Sequence, residues 1–148
     1  MEKIKIVLAK AHEEQMENPD IQQEVVDVQK FFDENDFRFK EGAVHFVILR
    51  GNYEPIDKSM TVAGVFVNHS GTPIKALKGS LHIELKGNNE ASFPKMDFQF
   101  PPEFLGEIKH KEGFIIHVKV PAERMPEEKR LYQATELAGR IDDIQVIQ

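Results

Sequence analysis

Apolar and polar residues alternate along much of this chain, and the alternation breaks where turn-forming residues stand. Ile4, Ile6 and Leu8 alternate with Lys3, Lys5 and Val7, which predicts a half-buried strand. The polar stretch from His12 to Pro19 ends it. Asp20 then stands at a helix N-cap, where a carboxylate accepts hydrogen bonds from free backbone N–H groups. Ile21, Val25, Val28 and Phe32 follow at helical spacing, and Asp33-Glu34-Asn35-Asp36 closes the helix. Val44 to Leu49 is the most continuously apolar run and suits a strand covered on both faces. Gly51 to Pro55 is expected to turn the chain.

From Met60 to Val120 the pattern predicts four successive strands. Met60 to Asn68 is rich in Val and Phe, and Gly64 in its middle predicts a bulge or a close approach of backbones. Asn68 to Pro73 is a turn cluster. Leu81, Ile83 and Leu85 alternate strictly with Ser80, His82, Glu84 and Lys86, a one-face strand. Gly87-Asn88-Asn89-Glu90 predicts a return hairpin into a strand over Ala91 to Phe100, where Pro94 places the start on an edge. Pro101 to Gly106 forces an irregular crossing. Phe114, Ile116, Val118 and Val120 then face inward, with His117 and Lys119 outward.

In the tail, Pro126, Glu127, Glu128 and Gly139 frame a helix over 126–138, with Leu131, Ala134, Leu137 and Ala138 as its apolar stripe. The competing reading of this segment is an irregular tail. Ile141, Ile144, Val146 and Ile147 add a short final strand. Turn signals every ten or so residues point to two packed antiparallel sheets in one domain, 1–148.

Composition changes this picture little. A chain of 148 residues with 41% hydrophobic and 30% charged residues can bury a real core. The absence of cysteine removes disulfides, thiol catalysis and thiolate metal sites, and suits a reducing compartment. The start MEKIKIVLAKAHEEQ lacks the apolar core of a signal peptide, and no window approaches the roughly 20 apolar residues of a membrane span. A cytoplasmic location is the expectation. The net charge of -6, with lysines scattered, repels phosphate backbones, so no nucleic-acid partner is expected.

The candidate chemistry is sparse. Six histidines occur, at 12, 45, 69, 82, 110 and 117, without the paired spacing of a zinc helix. His82 and His117 project from polar strand faces; on neighbouring strands they would share a surface metal with Glu84. Solvated surface histidines are the commoner outcome of such a pattern. Ser70 and Ser80 sit in no nucleophile elbow, and Asn68-His69-Ser70 matches a glycosylation sequon that needs secretion to matter. The carboxylate pairs Glu127-Glu128 and Asp142-Asp143 are adjacent in sequence, which does not aim them at one bond. No catalytic, cofactor-binding or metal residue is assigned, and no cofactor is expected.

Met60 to Pro121 resembles the S-layer assembly protein (SLAP) domain family. The resemblance rests on Val62-Ala63-Gly64-Val65-Phe66-Val67-Asn68-His69-Ser70-Gly71-Thr72-Pro73-Ile74, a strand followed by a "Pro-Ile" turn. The alternating Leu81-His82-Ile83-Glu84-Leu85, the hinge Phe104-Leu105-Gly106-Glu107-Ile108 and the strand Phe114 to Pro121 extend it. It covers under half of the chain and carries no catalytic residues. It implies a mainly β fold, a small antiparallel immunoglobulin-like β-sandwich with one or two peripheral helices. It also implies a non-enzymatic accessory factor in accessory Sec-dependent secretion of surface-layer proteins of Gram-positive bacteria. The partner would be a polypeptide, either the accessory translocase or an export substrate, or a second copy. The strands over Ala91 to Phe100 and Met60 to Asn68 are the expected contact surfaces, with little salt dependence. The rival readings are a histidine-lined small-molecule-binding protein or hydrolase, and a purely structural homodimerising module.

Overall fold

The computed structural model describes residues 3–35, 37–88 and 90–147. The expected turn positions Asp36 and Asn89 lie outside the described residues. The fold is mainly β, with few helices. Eight strands run β1 Lys5–Val7, β2 Ala43–Glu54, β3 Ser59–His69, β4 Ala76–Leu85, β5 Met96–Phe100, β6 Glu112–Pro121, β7 Arg130–Gln133 and β8 Leu137–Ile147. The helices are α1, Pro19–Glu34, the single turn α2, Pro102–Leu105, and 3₁₀ segments at Lys10–Glu17 and Ala134–Glu136.

A five-stranded sheet has the order β1-β6-β3-β2-β7, and a three-stranded sheet the order β5-β4-β8. Every pairing is antiparallel except β1 with β6, which is parallel. Side chains from both sheets meet in shared clusters. Met60, Val62 and Val120 of the larger sheet pack with Leu81, Ile83 and Leu137 of the smaller. Phe66, Phe114 and Ile116 pack with Leu77 and Phe100. On the opposite face of the larger sheet, Val28 and Phe32 of α1 cover Ile6, Val65, Val67 and Ile115. β3 is therefore apolar on both faces because it is buried on both, the pattern its sequence shows.

Several elements differ from the reading of the sequence. The cap of α1 is Asn18, whose Oδ1 accepts from the Asp20 N–H at 2.8 Å, with Pro19 as first helical residue. Asp20 is the second helical residue, in the first turn at the positive end of the dipole. Gly51 to Glu54 continues β2 instead of turning it, paired with β3 on one side and β7 on the other. A residue's worth of register shift lies between Ile48 and Arg50, opposite Gly64 and Ala63. Gly64 itself is a close approach: a Cβ there would overlap the ring of Phe46. The link from β4 to β5 spans 86–95, longer than a hairpin.

The helix expected over 126–138 is absent. β7 and the start of β8 occupy that stretch, with Tyr132 and Leu137 buried in the core. Leu131 and Ala134, which would have continued a helical stripe, lie outside that core, and Leu131 is largely exposed. Strand pairing with β2 satisfies the backbone there and buries Tyr132, so the tertiary partner overrides a weak local preference. No helix among the described residues is long and apolar enough to cross a membrane.

Candidate functional site

β1 pairs with β6 only from Glu112 to Phe114, whereas β3 follows the other side of β6 as far as Pro121. From Ile115 onward, among the described residues, no strand lies along that side of β6. A groove of about 510 Å³ opens there. Five consecutive residues of β6, Ile115 to Lys119, line it. Successive strand side chains point to opposite faces, so a groove touching all five runs along the strand's edge. Its floor is aromatic: Phe98 and Phe100 of β5, and Phe104 of α2. Ile21 and Glu24 of α1 form one wall, and His12 and Gln15 of the 3₁₀ segment the rim.

The register decides which main-chain groups face this opening. Lys5 N–H donates to the Lys111 carbonyl at 2.9 Å, and Ala122 N–H donates to the Lys58 carbonyl at 2.9 Å. Main-chain groups alternate sides along a strand. Those of 117, 119 and 121 therefore turn to the β1 side, and those of 116, 118 and 120 to β3. The amides of His117 and Lys119 face the groove. Pro121, with no N–H to offer, closes the row.

Glu24, His117 and Lys119, which line the groove, are each paired. Glu24 Oε2 accepts from Arg50 Nη2 at 2.8 Å and lies 3.0 Å from His117 Nε2. This carboxylate ties α1 to both β2 and β6. Lys119 reaches Asp57 at 3.3 Å. His12 stands edge-on to Phe104, ring centroids 5.1 Å apart. A histidine beside a carboxylate can serve as a general base. Here the carboxylate is shared with an arginine, and no described residue lining the groove carries a hydroxyl or thiol.

His82 and His117 do not come together. His82 is on β4 of the smaller sheet, near Glu84 (3.5 Å) and Arg140, while His117 is on β6 of the larger. Among the described residues no group of three or more His, Asp or Glu is placed to hold a metal ion. The Ser70 hydroxyl donates to Asn68 Oδ1 and the Ser80 hydroxyl to Asp97 Oδ1, so both serve local structure. His69 packs against the rings of His110 and Phe39 in another corner of the fold. Of the two expected contact strands, β5 is an edge strand, and its Phe98 and Phe100 line the groove. β3 is not available: it lies between β6 and β2, and only Thr61 along it is exposed. His12, Gln15, Ile21 and Glu24 were not singled out by their sequence; only the fold brings them beside β6.

The remaining sheet edges are protected. Gln29 of α1 bonds the outer edge of β1. Pro94 and Pro101 bracket β5. β7 has four residues. β8 is broken by a register shift, with Asp143 at φ 53°. Short strands, prolines and bulges are the usual devices against unwanted pairing. The described part of β6 beyond Phe114 carries none until Pro121. The chain matches no family model, and no curated protein and no solved structure matches it.

Proposed function

We propose that this protein is a non-catalytic binding factor that takes up an extended polypeptide segment by strand addition to β6. The observation that carries the reading is the open edge from Ile115 to Lys119, whose main-chain groups face an apolar-floored groove. Strand addition uses main-chain hydrogen bonds for affinity and pockets for alternate side chains for selection. In this reading the two sheets form an immunoglobulin-like sandwich with the groove at its open side. The resemblance of Val62 to Ile74 and of Phe114 to Pro121 to the SLAP domain supplies a context. The partner would be the accessory translocase or an export substrate, met in the cytoplasm during secretion of surface-layer proteins.

A library of extended peptides, screened against the purified protein and followed by amide exchange, tests the reading. Bound peptides should slow exchange at His117 and Lys119 while leaving β8 unchanged. Binding that leaves those two amides unaffected would overturn it. Light scattering separates a foreign segment from a second copy: a stable dimer whose interface protects the same amides assigns the groove to self-association. The His117–Glu24 pair supports a second reading, a small-molecule site, which turnover abolished by His117→Ala would establish.

A further inference from the structure

Resting on the strand-addition reading, we infer that the segment accepted by β6 is about five residues long, carries large apolar side chains at alternate positions, and is flanked by basic residues. The length follows from the open ladder, which starts after Phe114 and ends at Pro121, at about 3.3 Å per residue. The alternation follows from the two sides of the groove. Side chains placed beside Ile116 and Val118 descend onto Phe98, Phe100 and Phe104, an aromatic floor that rewards large apolar groups. Their alternates meet Ile21 and Glu24.

The basic flanks follow from the rim. Within two positions in sequence of the lining residues Leu8, His12, Gln15, Ile21 and Phe104 stand five exposed acids, Glu13, Glu14, Glu17, Asp20 and Glu103, against one exposed base, Lys10. Among the described residues none of these carboxylates is in an ion pair. Inside the groove, by contrast, Glu24 and Lys119 already have partners. The floor is thus apolar and internally neutral, while the entrances are negative, in a chain of net charge -6. Such a rim attracts cations and repels acids before contact, and does so less as salt rises. On this inference the expectation of little salt dependence is confined to the core of the contact.

Three synthetic peptides decide it: an alternating apolar core flanked by lysines, the same core flanked by glutamates, and a lysine-flanked core with serine at the apolar positions. Fluorescence anisotropy against the full chain gives each Kd at low and high salt. The first should bind about tenfold or more tightly than the second at low salt, and the gap should close at high salt. The third should not bind. Equal binding of the first two would refute the charge inference while leaving strand addition intact. Binding of the third as tight as the first would refute the apolar alternation. Failure of all three, at either salt, would bring down the strand-addition reading itself. The triple variant Glu13→Gln, Glu14→Gln, Glu17→Gln alters only exposed side chains and should retain the fold. It should erase most of the lysine preference, and persistence of that preference would show that the rim does not cause it.

Discussion

The side-chain amide of Gln29 stands beside Ile6 as the backbone of a neighbouring strand would. Its Oε1 accepts from the Ile6 N–H at 2.8 Å and its Nε2 donates to the Ile4 carbonyl at 2.8 Å. One helical side chain thus satisfies two main-chain groups along the outer edge of β1 and the residue that leads into it. Leucine at this position would leave both groups partly buried and unpaired, at a cost of about 1–3 kcal/mol. Urea unfolding of Gln29→Leu should show that loss, together with faster amide exchange at Ile6. Unchanged exchange at Ile6 would mean that water replaces the amide without penalty.

Phe66 is the aromatic hub between the sheets. Its ring lies 4.9 Å from that of Phe46, 5.0 Å from Phe98, 5.4 Å from Phe100 and 5.5 Å from Phe114. Phe66→Ala should cost about 3–5 kcal/mol, since the surrounding rings cannot all collapse into the space left. Calorimetry on the variant is the check. A loss under about 1 kcal/mol would show that the two sheets are held together elsewhere.

Lys119→Pro separates the edge from the fold. The residue's N–H faces the groove and is not used by β3, and its bridge to Asp57 is between exposed groups, so little stability should be lost. Proline there removes a donor and crowds an incoming strand. The variant should melt near the unaltered protein and bind apolar alternating peptides at least tenfold more weakly. Undiminished binding would place the partner on another surface.

Asp142 gives a pH signature. Its carboxyl is held below the ordinary value of 3.8, first by the hydrogen bond from Lys95; desolvation opposes this, and the hydrogen bond and charge of Arg140 add to the lowering. A depressed carboxylate contributes stability above its unfolded pKa, and the contribution is lost as pH falls through the folded value. The link between β8 and the approach to β5 should therefore weaken below about pH 4. Asp142→Asn should lower stability at pH 6, and the difference should shrink as pH falls through the folded value. A difference that persists unchanged at pH 2 would exclude titration of this group as its cause.

Local periodicity made most of the strands legible and hid one of them. Leu81 and Ile83 are buried where strict alternation placed them, and Phe114 and Ile116 likewise. Ile115, though, is buried under α1, which explains why β6 reads as a mixed run instead of a clean alternation. The tail misled twice: pairing of β7 with β2 and of β8 with β4 outweighs the weak helix signals over 126–138, and the bulge near Asp143 resets the period of β8. Leu137, Ile141 and Val146 are spaced as no regular strand would space them. The groove was half legible. Phe98 and Phe100 announced themselves as an edge strand, but His117 meets Glu24 across 93 positions of sequence, and no local pattern encodes such a meeting.

The parallel ladder Lys5–Val7 with Glu112–Phe114 joins segments separated by most of the chain. During synthesis β1 and α1 are made before β6, which must receive them. Closing so wide a loop is slow compared with forming the β2–β3 hairpin. Until then Val28 and Phe32 of α1 have only Val65 and Val67 of the β2–β3 hairpin to cover, and the full surface, with Ile6 and Ile115, forms only once β6 is made.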